Sequence, residues 1–179
     1  MAWTTPRTWV TGETVTASQL NTHLRDNLIE LRASQTCRVY RSVTQSLTND
    51  TYALIGMNQE TSDVPGWHST VTNDPRITPT VAGLYLIVAG ASFAHNTTGS
   101  REIVIVRNGL GGESVASTGR NIAVDAAGSL SANFNVTGVF PANGSTDYFS
   151  LAAYQNSGGA LNVNGGEFLT WLSVTFLGA

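Results

Sequence analysis

Hydrophobic and polar positions change rhythm once along this chain, near residue 35. Residues 1–16 hold no sustained period; Trp3, Pro6, Trp9 and Gly12 stand in an extended, Thr-rich setting. The following stretch, TASQLNTHLRDNLIELRAS, predicts a helix. Leu20, Leu24, Leu28 and Leu31 fall 4, 4 and 3 positions apart, which puts them on one stripe, and Thr16 with Gln19 has capping-box spacing. From Thr36 onward the pattern is that of β-strands, expected at 38–43, 52–55, 84–93, 102–107, 130–140, 148–154 and 169–177. The turn-forming clusters LTND, VPGW, HNTTGS, NGLGG, PANGSTD, NSGG and NGG separate them. Leu130, Ala132, Phe134 and Val136 alternate with Ser131, Asn133, Asn135 and Thr137, the signature of a strand with one wet face. Leu172, Val174 and Phe176 repeat it against Ser173 and Thr175. The segment LYLIVAGASF is apolar on both faces. One face can line a sandwich interior; the other needs a second layer, which a subunit interface would supply. The whole reads as mainly β: an antiparallel sandwich over 36–179, preceded at 1–35 by a short arm and one α-helix.

Composition sharpens this by exclusion. The 179 residues include no Lys, nine Arg, twelve acids, three His and one Cys. Without Lys there is no Walker-type phosphate loop and no Schiff base. A single Cys excludes an intramolecular disulfide and a multi-Cys zinc site, and Cys37, at the start of a strand, reads as a small buried residue. A net charge of −3 with no polybasic run argues against nucleic-acid binding. No stretch reaches the eighteen or so apolar residues of a membrane span, and MAWTTPR lacks the signature of a secretory signal. Thr, Ser and Asn, at 23, 16 and 14 copies, suit the wet faces and turns of a sandwich.

Catalytic readings find little support, so no catalytic residue, metal or cofactor is expected. GGESVAST lacks the second Gly of a nucleophile elbow, and His23, His68 and His95 have no evident nucleophile beside them. The run from Gly109 to Ser114 starts like a dinucleotide loop but misses its third Gly and its helix. Asp63, Asp74, Asp125, Asp147 and Glu167 are scattered rather than paired. Calcium could find hard oxygens in LTND, VTNDP and PANGSTD, though turns need the same residues for their own hydrogen bonds.

The order of motifs then carries a resemblance. Gly83 and Tyr85 in a Gly-x-Tyr strand, the Arg107-Asn108-Gly109 hairpin, a Gly-Asp turn interrupted here as Gly144-Ser-Thr-Asp147, and a last hydrophobic strand closing on Leu-Gly follow one another over residues 36–179. This resembles the jelly-roll heads of the complement globular-head and tumour-necrosis-factor superfamily. The resemblance implies a homotrimer, with Tyr85, Ile87, Phe93, Phe149 and Tyr154 as expected interface residues. A second resemblance lies in the leader: Pro6-Arg7-Thr8-Trp9, then Val15-Thr16-Ala17, then the helix with Asn21, His23, Arg25, Asp26 and Asn27. It is similar to the leader of many tailed-bacteriophage structural proteins. Together the two imply a non-enzymatic virion protein on tail, fibre or capsid. Trp3, Pro6, Arg7, Trp9, Leu20, Leu24, Leu28 and Leu31 would attach it to other virion proteins. The trimeric head would serve host-surface binding or capsid decoration. Loops 95–100, 109–119 and 156–160, including His95, Asn96 and Asn156, are the candidate contacts for a host glycan. A soluble carbohydrate-binding module of the same fold is the alternative, and a glycan hydrolase a more remote one.

Overall fold

A computed structural model describes residues 4–32, 35–111, 120–124 and 131–178. The chain divides into two compact units, Met1–Gln35 and Thr36–Ala179.

In the first unit the expected helix forms, and its start is fixed as its sequence suggests. Thr16 Oγ1 accepts from the Gln19 amide at 3.3 Å, and Gln19 Oε1 accepts from the Thr16 amide at 2.9 Å, a complete capping box. The helix is not uniform. α1 (Ala17–Leu20) runs through a π-helical turn, Asn21–Arg25, into α2 (Asp26–Arg32). Such a turn takes up one residue more than an α-helical turn.

The second unit is the antiparallel sandwich. Its strands are β1 (Thr36–Tyr40), β2 (Gln45–Leu47), β3 (Ala53–Leu54), β4 (Gln59–Asp63), β5 (Ala82–Phe93), β6 (Ser100–Arg107), β7 (Arg120–Val124), β8 (Ala132–Asn143), β9 (Phe149–Gln155), β10 (Leu161–Val163) and β11 (Trp171–Gly178). Among the described residues one sheet has the order β2-β10-β5-β11-β1-β4, with β8 also paired to β5, and the other the order β3-β9-β6-β7. β8 accompanies β5 along its whole length, from Ala82 opposite Asn143 to Phe93 opposite Ala132. Seven of these strands match expected segments within a few residues. β2, β4, β7 and β10 were not expected: β2 and β10 are three residues long, and β4, QETSD, is an edge strand with no apolar alternation.

The core lies between the sheets. Cys37 and Val39 from β1, alternate residues of β5 from Tyr85 to Phe93, Ile103 and Ile105 from β6, Phe134 and Val136 from β8, and Leu172 and Val174 from β11 are all buried there. A smaller cluster, Val104, Val106 and Ala152 with Tyr52 and Leu54, covers the other face of the second sheet, so β6 is apolar on both sides.

Several motif residues meet at one end of the sandwich. Gly83 has φ +154°, and a Cβ there would stand 2.4 Å from the Gly178 carbonyl oxygen and 2.6 Å from the Phe176 ring. Only a glycine lets the two strands close. Two residues on, the Tyr85 ring meets Phe176 at 5.2 Å and Trp67 at 5.5 Å between centroids, and its hydroxyl donates to the Val81 carbonyl. Asn108, at φ +62°, donates through Nδ2 to Asp147 Oδ1 and accepts the Tyr148 amide, tying the Arg-Asn-Gly hairpin to the 143–148 turn. Asn143 Oδ1 in turn accepts the amides of Ser145, Thr146 and Asp147. The longer Gly-Ser-Thr-Asp form is closed by its own side chains.

Candidate interaction surfaces

Strand parity decides which side chains face outward. Tyr85, Ile87, Phe93 and Phe149, expected between subunits, are completely buried in the protomer's own interior. They cannot reach a neighbouring subunit. Tyr154, the fifth expected interface residue, lies on the second sheet, half-buried beside Tyr52 at 5.0 Å. Its hydroxyl donates to the Asp50 carboxylate, a bond that raises its pKa above the ordinary tyrosine value.

The residues of opposite parity form a half-open apolar face on the first sheet. Leu84, Leu86 and Val88 of β5 stand opposite Pro141, Val139 and Thr137 of β8. Leu84, Val139 and Leu177 are 49 %, 51 % and 55 % exposed, while Leu86 and Val88 are half-buried. Further along β5 the face closes over: the Trp171 indole and Asn135 lie against Gly90, where a Cβ would stand 2.8 Å from each, and the Arg38 guanidinium sits 4.3 Å above the Trp171 ring. This is the second apolar face that the sequence of residues 84–93 implied.

The candidate receptor loops come together at one end. The loop after β9 is joined to the start of β6 through Asn156, whose Oδ1 accepts the Ser100 amide and hydroxyl, and the loop after β5 is closed within itself by Asn96, whose Oδ1 accepts the Thr98 amide. Both side-chain oxygens are therefore committed to loop structure. His95 is exposed. Beneath the loop the Arg101 side chain, only 2 % exposed, donates to the carbonyls of Asn96, Thr98 and Gly99. No sequence pattern announced that role, because an Arg at the start of a strand usually faces water. In loop 109–119, residues 112–119 lie outside the described residues. The first residue of the sandwich, Thr36, opposes Thr175 at the other end of the sheet, where its hydroxyl bonds that of Thr175 at 3.1 Å.

In the leader, the polar motif residues hold the arm to the helix. Asn27, 5 % exposed, accepts the Thr4 amide at 3.0 Å and donates to the Thr4 carbonyl at 2.8 Å. His23 Nδ1 donates to the Thr5 carbonyl at 3.3 Å, and its ring meets Trp9 edge-on. Arg7 pairs with Glu13 and lies 5.1 Å from the Trp9 ring. Trp9 thus contacts its own helix while staying 42 % exposed, and Pro6 is exposed. Trp3 and the Leu31 side chain lie outside the described residues. Leu20, Leu24 and Leu28 are 44 %, 54 % and 57 % exposed.

The acids and the cysteine serve the fold. Asp63 accepts the amides of Trp67 and His68, Glu167 accepts the Thr61 hydroxyl, and Asp147 holds the turn described above. The His68 ring faces Glu60 Oε1 and the Asp74 carbonyl oxygen, both at 2.9 Å, with no hydroxyl or thiol between them. Burial first, and then the Asp63 carboxylate, push the Cys37 thiol far above its ordinary range, so it is not a nucleophile. Asp125 is outside the described residues. Among the described residues, no three His, Cys, Asp or Glu side chains gather as metal ligands, and no helix is long and apolar enough to cross a membrane.

Neither a protein-family model nor a curated protein sequence matches the chain. Solved structures do. Murine APRIL at pH 5.0 is similar over 79 % of this chain and 99 % of its own, with a TM-score of 0.57 and 14 % identity. A second structure of murine APRIL, at pH 8.0, gives 0.54 with 15 % identity over 81 % and 100 % of the two chains. Eiger TNF from S. frugiperda gives 0.53 with 9 % identity over 81 % and 93 %. At such identities the likeness is one of fold: the chain is an antiparallel jelly roll of the tumour-necrosis-factor type.

Proposed function

We propose that this protein is a non-enzymatic structural component of a tailed-bacteriophage particle. Residues 1–35 attach it, and residues 36–179 form a homotrimeric head. The observation that carries the trimer is the half-open apolar face around Leu84, Leu86, Val88, Val139 and Leu177, on a sheet whose other face already fills the core. Burying such a face between three copies stabilises the assembly by about 25 cal/mol for each Å² of apolar surface removed from water. The likeness to tumour-necrosis-factor-type structures supports the same arrangement. Attachment rests on the leader's resemblance to phage structural proteins. Host-surface contact falls to the loops after β5 and β9, which lie at the end of the sheet away from Thr36.

Light scattering tests the head. The expected mass is about 57 kDa, three times the 18.9 kDa chain. Val139→Arg, on the exposed face, should give a monomer that still unfolds cooperatively. Removal of residues 1–35 should leave a folded trimer that particles no longer incorporate. A wild-type monomer at micromolar concentration refutes the trimer, and particles that retain the truncated protein refute the attachment.

A further inference from the structure

We infer that the leucine row of the leader is the seam of a parallel three-helix bundle formed by three copies of this chain; the inference rests on the trimeric head proposed above. Three observations lead to it. The first is spacing. On a regular α-helix, Leu20 to Leu28 overshoots two turns by about 80°, so the row would wind away around the helix. The π-helical turn Asn21–Arg25 takes up one residue, which brings Leu20, Leu24 and Leu28 to within about 20° of a straight line.

The second is what the arm leaves open. It lies along the flank of His23 and Asn27, the positions just before Leu24 and Leu28, and binds there through polar contacts. Its hydrogen bonds and its ring contact with His23 use none of the three leucines, and Ile29 on the far flank stays 46 % exposed beside them. On that flank the Arg25 guanidinium already pairs with Asp26 of its own helix at 2.8 Å, so copies can approach with that cation compensated.

The third is the tether. Three residues separate Arg32 from Thr36, a span of at most about 14 Å. In any cyclic trimer the three copies of Thr36 lie on one ring around the axis, so the C-terminal ends of the helices are held at the same level, and the same symmetry makes the helices run in the same direction. A helix of this length is marginal as a free coiled coil. Held by the head at an effective concentration of the order of millimolar, it need not be stable alone. The seam therefore takes the leucines, and docking on the particle falls to the exposed Pro6, Trp9, Val10 and Val15 of the arm.

The test is cysteine cross-linking in the full chain, where buried Cys37 contributes no background. Leu24→Cys and, separately, Leu28→Cys should form covalent dimers under mild oxidation at least tenfold more than Ser18→Cys, which lies off the row. Both positions are exposed within the chain, so neither substitution empties a core. Native mass is read on the same samples. Trimer mass with row-specific cross-links supports the bundle. Trimer mass with no cross-link, or with equal cross-linking at residue 18, overturns it, leaves the head trimer standing, and is the result expected if another particle protein covers the row. Monomer mass overturns both.

Discussion

Asn27→Ala should detach the arm from its helix without touching the sandwich. The side chain makes three hydrogen bonds: Oδ1 accepts the Thr4 amide, and the two Nδ2 hydrogens go to the carbonyls of Thr4 and His23, at 2.8 and 3.2 Å. A neutral hydrogen bond contributes about 1 kcal/mol net. Loss of the two bonds to Thr4 therefore costs about 2 kcal/mol of arm docking, roughly a 30-fold rise in the opening constant. Asn27→Asp makes the sharper comparison. Its carboxylate can still accept the Thr4 amide, but it has no hydrogen to donate and sets a charge against two carbonyl oxygens, so the loss should be at least as large. Hydrogen exchange read by mass spectrometry resolves both. Peptides from residues 4–16 should exchange some 30-fold faster, while those from β5, β8 and β11 keep wild-type rates. If the arm exchanges at its wild-type rate in both variants, the polar contacts do not hold it, and the account of the leader motif is wrong. Equal acceleration in the sandwich strands would mean a global rather than local effect.

Three further outcomes follow from the head. Gly83→Ala should destabilise it by about 3 kcal/mol or more, because the new Cβ meets the Gly178 carbonyl at 2.4 Å, whereas Gly111→Ala, with nothing within 4 Å, should leave the melting temperature unchanged; similar melting of the two would contradict the close approach. Asp147 has its carboxyl pKa held below the usual value, first by the Asn108 amide. A lowered folded pKa gives stability that is present above the unfolded value of about 4 and is lost as pH falls through the folded one. The melting-temperature advantage of wild type over Asp147→Asn should thus be full at pH 6 and shrink on acidification below pH 4; an advantage independent of pH would sink this assignment. Cys37 should resist a thiol reagent at pH 8 until urea unfolds the sandwich, and rapid reaction of the native protein would show that its burial is wrong.

Much of the fold was legible because β5, β6, β8, β9 and β11 bury long apolar stretches whose period is plain. β4 was not, since QETSD earns its place by pairing with β1 rather than by hydrophobicity. The interface went wrong for a more instructive reason. A period of two says that Tyr85 and Ile87 face one way and Leu84, Leu86 and Val88 the other; it does not say which way is inward. Of the residues expected at the interface, Tyr85, Ile87, Phe93 and Phe149 lie inside, where Tyr85 packs on Trp67, Phe149 and Phe176, and Tyr154 lies half-buried on the second sheet. The leader shows the converse. Its polar identities were legible as a motif, but that Asn27 grips Thr4 across 23 positions depends on how the arm folds back, which no local pattern encodes.

This bears on what each resemblance can say about function. The motif residues that make the head look familiar all act internally: Gly83 lets two strands close, Tyr85 fills the core, and Asn108 with Asp147 joins two turns. They would be needed in any jelly roll of this type, whatever it binds, so they speak to fold alone. The surface residues that remain are of two kinds. Among the described residues, apolar ones stand on the outward face of the first sheet and along the helix, with Phe168 and Val71 exposed elsewhere, and polar ones line the loops at the end away from Thr36. In the loops, Asn96 and Asn156 spend their side-chain oxygens on the backbone, which leaves a scaffold held by Arg101 with little fixed chemistry pointing outward. The apolar surfaces are the reverse: Leu84, Val139 and Leu177 on the sheet and Leu20, Leu24 and Leu28 on the helix stay exposed among the described residues. Assembly is thus written more firmly into these surfaces than recognition, and Val139→Arg should change the native mass while His95→Ala leaves it at the wild-type value.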